Sequence, residues 1–212
     1  MIIAVDGPAA SGKGTIARAL ARHYGLPHLD TGMLYRAVGH AVLLLHGNPA
    51  SEVDALAGCS FDESLLDDPA LRGEAAGRAA SQVSAHPLVR AALGQRQRDF
   101  AHQPGGAVLD GRDIGTVIAP DADVKLFVKA TPYVRAKRRH SEMIKAGSTV
   151  SFDRVLADIR ERDHRDMTRS TAPLRQADDA RLLDTSYLDV NSAIQRAVAL
   201  VEARRTAMEV AG

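Results

Sequence analysis

Met1-Ile-Ile-Ala-Val-Asp6-Gly7-Pro-Ala-Ala-Ser-Gly12-Lys13-Gly14-Thr15 opens the chain, and its reading decides the fold. Met1–Val5 is a continuous apolar run rich in β-branched residues, the mark of a strand buried on both faces of a parallel sheet. Gly7, Pro8, Ala9, Ala10, Ser11, Gly12 and Lys13 then fit G-x-x-x-x-G-K, between a strand and a helix. Such a loop turns its backbone N–H groups inward around phosphate oxygens. The helix N-terminus beneath adds a favourable potential for anions. Lys13 is placed to reach the β- and γ-phosphates of a nucleotide. Gly14 stands where a hydroxyl usually binds Mg²⁺, and Thr15 brings the hydroxyl one place later, so more of the metal's shell is expected to be water and nucleotide oxygen.

The elements spread outward from this loop. Helical spacing runs over Lys13–Tyr24 and stops near Gly25 and Pro27. Leu26–Leu29 reads as a short second strand. Thr31 reads as the N-cap of a helix reaching about His46, with Gly47 as its stop. From Asn48 to about His102 the chain is rich in Ala and charge, with helices expected near 51–58, 69–84 and 87–101. Ala107–Asp110 and Val124–Val128 read as core strands, followed by helices at 132–146 and 151–167. Arg181–Asp184 reads as a fifth strand and Ser192–Met208 as a closing helix. The expectation is one α/β domain, a doubly wound five-stranded parallel sheet with helices on both faces. Its core is 1–47 and 104–212, with a helical insertion at about 48–103 and a lid at about 138–170.

Composition narrows the function. The 212 residues carry 27 Lys+Arg against 26 Asp+Glu, which argues against binding nucleic acid through a general positive field. The single cysteine, Cys59, permits no internal disulfide and no cysteine-based zinc site. No apolar run reaches the roughly 18 residues of a membrane helix. The expected protein is a cytoplasmic monomer. Of the basic residues 22 are Arg, and a planar fork suits phosphate better than a point charge does.

Those arginines cluster at strand ends, where an open parallel sheet places its ligand crevice. Asp30-Thr31-Gly32-Met33-Leu34-Tyr35-Arg36 follows the second strand. Asp110-Gly111-Arg112-Asp113-Ile114-Gly115-Thr116 follows the third, with Asp110 as the magnesium-side carboxylate and Arg112 near the phosphates. Arg162, Arg165, Asp166 and Arg169 have the spacing of one helix face. Arg138 and Arg139 lie on the preceding helix. No N-K-x-D motif of a regulatory GTPase is present, and a nucleotide sensor would not need the acceptor arginines. Phosphoryl transfer to a small acceptor is the better reading. The eight histidines, His28 among them, show no metal spacing and are expected at surfaces and helix ends.

The chain resembles the cytidylate kinase family. G-P-A-A-S-G-K-G-T, D-T-G-x-x-Y-R, S-Q-V-x-x-x-P-x-V-R at Ser81–Arg90, D-G-R-D-I-G-T and R-D-x-R-D-x-x-R at Arg162–Arg169 occur in that family's order. Adenylate kinase would carry D-G-F-P-R in place of D-G-R-D. The resemblance implies transfer of the γ-phosphoryl of ATP to CMP or dCMP with Mg²⁺. It implies that Gly7–Thr15, with Arg138 and Arg139, bind ATP, and that Lys13, Asp110, Arg112 and Arg162 act in the transfer. Arg36 and Arg112 would hold the acceptor phosphate, with Thr31 near the nucleotide. Ser81, Arg90, Asp113 and Arg169 would read cytosine. Arg162 and Asp166 would meet the sugar, and Arg165 would join a lid charge network. Residues 58–75 lack the strand alternation of members with a longer insertion.

Overall fold

A computed structural model of the chain describes residues 1–211. Its centre is a five-stranded, all-parallel sheet in the order β2-β3-β1-β4-β5. The strands are β1 (Ile2–Asp6), β2 (His28–Asp30), β3 (Ala107–Gly111), β4 (Val124–Lys129) and β5 (Arg181–Asp184). The helices are α1 (Lys13–Tyr24), α2 (Thr31–Leu44), α3 (Glu52–Ala57), α4 (Glu74–Val83), α5 (Pro87–Ala101), α6 (Pro132–Lys145), α7 (Phe152–Thr168) and α8 (Val190–Ala211). This is the α/β, doubly wound arrangement expected of a P-loop protein.

Apolar alternation sends each face of the sheet into its own core. Ile3, Val5, Leu126 and Val128 pack on Ile16 and Leu20 of α1 and on Ala197 and Val201 of α8. Ala4, Ala107 and Leu109 meet Ala101, Ile114 and Ile118 on the other face. Each of the Val, Leu and Ile side chains contributes about 1.5–3 kcal/mol on burial. Leu34 and Val38 of α2 meet Ala80 and Val83 of α4 and Val89 and Leu93 of α5. Gly39 lets α2 and α4 approach closely, since a Cβ there would lie 2.7 Å from the Ala79 Cβ. The α6–α7 hairpin has a smaller core of Ala136, Val155 and Ile159, against which Ala9 and Ala10 of the loop pack.

Several boundaries differ from the sequence reading. Strand β2 is His28–Asp30 instead of Leu26–Leu29. Leu26 N–H is taken by the Ala21 carbonyl in the α1 cap, where Gly25 has φ +64°. Thr31 is the first residue of α2 and not its cap; its hydroxyl donates to the Asp110 carbonyl at 2.9 Å. Helix α2 stops at Leu44, before His46 takes φ +56°. The single helix expected over 69–84 is two pieces. A 3₁₀ turn, Pro69–Arg72, is separated from α4 by Gly73 at ψ 168°. Further 3₁₀ turns, Gly58–Ser60 and Glu63–Asp67, precede it, and Asp62 and Asp68 cap the turns they begin. Helix α7 ends at Thr168, so Arg169 lies outside the helix face it was expected to share. A π-type turn, Ile114–Ile118, follows β3.

Candidate active site

The loop between β1 and α1 owes its path to backbone that only small residues adopt. Gly7 has φ +155°, and a Cβ on it would stand 2.0 Å from the Val128 carbonyl oxygen. Gly12, at φ +91°, caps α1 without a side chain, so the first-turn N–H groups face outward with no side-chain partner. The loop is held from behind. Thr185 Oγ1 donates to the Ser11 carbonyl at 2.8 Å, Arg138 Nη1 to the same carbonyl at 3.3 Å, and Arg135 Nη1 to Ala9 O at 3.2 Å.

In front of the loop lies a cavity of about 520 Å³, bordered by Lys13, Thr15, Asp30, Asp110 and Arg138. Lys13 Nζ lies 3.5 Å from Asp110 Oδ2, and His28 Nε2 meets Asp110 Oδ1 at 2.8 Å. Burial alone would raise the Asp110 pKa, yet His28 and Lys13 hold it below the usual carboxylate range. Burial and the Arg112 charge lower that of Lys13. Among the described residues no three His, Cys, Asp or Glu side chains form a metal cage. Two carboxylates beside a phosphate-type loop suit a hard cation that arrives with phosphate oxygens and water.

A second cavity, of about 350 Å³, lies between α4 and the α6–α7 hairpin. Arg36, Arg139, Arg162 and Arg165 border it, and Ala10 borders both cavities. Arg36 Nη1 donates to the carbonyls of Leu71 and Gly73 at 2.6 and 3.2 Å, tying α2 to the insertion. Arg165 Nε donates to Ser81 Oγ at 3.2 Å, tying α7 to α4. Arg112 Nε donates to Asp166 Oδ2 at 2.8 Å. Burial opposes ionisation of Asp166, but Arg112 and Arg162 keep its carboxyl below the usual range. Arg162 is different. Its buried Nε has no hydrogen-bond partner, and burial with the neighbouring Arg112 charge lowers its pKa to about 9.

Beside these stands a third cluster. The buried Asp113 carboxylate accepts from Arg90 and, at 3.4 Å, from Arg169 Nη2. Arg90 lies over the Tyr35 ring at 5.5 Å. Arg169 Nε donates to Ala172 O at 2.8 Å.

The fold thus joins most of the sequence-predicted residues by side-chain contacts: Lys13 to Asp110, Arg112 to Asp166, Arg165 to Ser81, and Arg90 and Arg169 to Asp113. One falls elsewhere than expected. Arg139 borders the second cavity and not the first, which it was to share with Arg138. The Thr31 hydroxyl is spent on the Asp110 carbonyl. Sequence reasoning passed over His28, which binds Asp110 and is not a surface or helix-end residue. It also passed over Asp6 and Arg135. Asp6 had a usable signal, standing directly before Gly7 at a strand end; Arg135 had none, being one basic residue among several on α6.

Comparison with known proteins agrees with this geometry. The sequence model described as "Cytidylate kinase" matches residues 3–203. A cytidylate kinase of Xanthobacter autotrophicus is 61% identical over 206 residues, covering 97% of this chain and 99% of that protein. One from Rhodopseudomonas palustris is 58% identical over 206 residues, with 97% and 98% covered. A crystal structure of an uncharacterized protein from Eubacterium ventriosum shares the fold, with a TM-score of 0.55 at 16% identity over 95% of this chain and 98% of that one. A match of this extent, on a chain whose arginines and phosphate-type loop converge as described, means that the protein belongs to the cytidylate kinase family.

Proposed function

We propose that the chain transfers the γ-phosphoryl group of ATP to the phosphate of CMP or dCMP, giving ADP and CDP or dCDP. The observation that carries this reading is Arg162. A buried guanidinium with an unpartnered Nε, close to Arg112, Arg36 and Arg165 and only partly offset by Asp166, is costly by itself. A phosphate dianion on that side supplies both the missing acceptor and the missing charge. The base assignment draws on the names of the relatives and on Asp113, whose carboxylate can accept from the cytosine N4 amine.

No nucleophilic side chain is needed. An oxygen of the acceptor phosphate attacks the γ-phosphorus, the bond to the β–γ bridging oxygen breaks, and ADP leaves with that electron pair. The N–H groups at Gly12–Thr15 bind the donor phosphates, and Lys13 offsets charge on the transferring group. Arg36, Arg112 and Arg162 hold the acceptor, and Arg138 borders the donor side. Magnesium bound with ATP would neutralise charge across the β- and γ-oxygens, held by Asp110 through water, with the Thr15 hydroxyl within its cavity. Approach of the insertion and the α6–α7 hairpin excludes water, the competing acceptor. This reading has the protein acting as a cytoplasmic monomer.

A coupled ADP-release assay with ATP·Mg²⁺ and CMP, dCMP, UMP, AMP and GMP tests it. Strong turnover with CMP and dCMP alone is expected. Comparable turnover with UMP moves base selection away from Asp113. No turnover with any acceptor, alongside intact ATP binding, overturns the kinase assignment.

A further inference from the structure

Asp113 stands where an aspartate side chain is ordinarily consumed by its own backbone. It directly precedes the π-type turn Ile114–Ile118, and the first N–H groups of a helical turn have no partner within it. An aspartate at that place commonly turns back to accept them. Asp113 does not: its carboxylate makes no bond to the turn and faces Arg90 and Arg169. The N–H groups of Ile114 and Gly115 go instead to Asp6 Oδ1 and Oδ2, each at 2.8 Å. Asp6 is buried at the end of β1, opposite Gly111 of β3 and one residue before the donor loop. Gly115 also makes room for the Lys125 stem, since a Cβ there would lie 3.0 Å from Lys125 Cδ.

We propose that Asp6 is a positioning residue for acceptor selection: by capping the turn from β1, it releases the Asp113 carboxylate to face the acceptor base. The selection half of this statement rests on the proposed function; the capping half rests on the two hydrogen bonds alone. Asp6 touches no substrate and acts through Asp113.

A double-mutant cycle tests it, with Asp6→Asn, Asp113→Asn and the pair, reading KM for CMP, KM for ATP, kcat and the thermal midpoint. Asp6→Asn sets an amide N–H₂ against one of the two backbone donors. Each single change is expected to raise KM for CMP about tenfold. KM for ATP should stay within about twofold, and the double variant should be no worse than the worse single one, because the residues act as one unit. Additive effects overturn the proposal, as does an equal rise in both KM values, which marks a merely structural role. Asp6→Ser, which keeps one acceptor, replaces Asp6→Asn if that variant does not fold. If neither single change moves KM for CMP, the base-contact reading of Asp113 fails. The capping half is then decided by the ¹³C NMR signal of the Asp113 carboxyl: moved by the Asp6 change, it stands; unmoved, it falls.

Discussion

Lys13 Nζ lies 3.5 Å from Asp110 Oδ2, an ion pair joining the loop after β1 to the end of β3. The same lysine feels the positive charges of Arg112 and Arg162 and the negative ones of Asp110 and Asp30. Lys13→Ala is expected to lower kcat by about 10²–10³, as removal of one donor to a developing charge does elsewhere. Circular dichroism and thermal unfolding should show the fold retained, because Asp110 keeps His28 as its partner. A near-normal rate would remove Lys13 from the transfer.

His28 is the other support of Asp110, at 2.8 Å. Asp110 is the partner its ring nitrogen meets, so its removal frees one carboxylate oxygen. His28→Ala is expected to lower turnover roughly tenfold, the lower end for loss of an orienting partner. An unchanged rate with unchanged Mg²⁺ dependence would make the contact incidental.

Arg135 joins three parts of the molecule. It donates to Ala130 O at 2.8 Å and to Ala9 O at 3.2 Å, and grips Asp163 of α7 at 2.8 and 2.5 Å with its two terminal nitrogens. Removing Arg135 strands Asp163, which is only part-buried, so the cost should fall below the ~3–5 kcal/mol of a fully buried pair. Arg135→Ala should show that loss in urea unfolding, and Arg135→Lys should recover only part of it because the fork is gone.

Asp6 carries a pH signature. Burial, with the nearby Asp113 charge, raises its pKa to about 7, against the pull of the Ile114 and Gly115 N–H groups and of Arg112. The folded value lies above the unfolded one, so folding takes up a proton between about pH 4 and 7. Stability from this group is present at low pH and is lost as pH rises toward 7. Urea unfolding at pH 5.5 and 8 should show a larger loss in the native protein than in Asp6→Asn. Equal losses would mean that Asp6 is ionised throughout.

The sequence is legible where its signals are local. The strand–loop–helix start needs only apolar residues, glycines and a lysine in register, and β3 and β4 are apolar runs bounded by turns. Strand β2 is not legible in its limits, because three residues held between Pro27 and a helix show no period of their own. Pro69–Val83 misleads because Gly73 breaks a pattern that composition continues. The site follows the same rule. Lys13, Asp110, Arg112 and Asp113 lie in compact motifs, whereas His28 meets Asp110 across 82 residues of sequence through parallel pairing of β2 with β3. No spacing along the chain records such a contact.

Ala10, at φ +58°, and Glu142 of α6 border both cavities, so the two cavities adjoin. Apart from these two residues the cavities have separate linings, so either can be filled while the other is empty. Arrival in either order follows, and so does a ternary complex before any product leaves. Initial-rate plots against each substrate should therefore give intersecting lines, not the parallel ones of an enzyme that carries the phosphoryl group on itself.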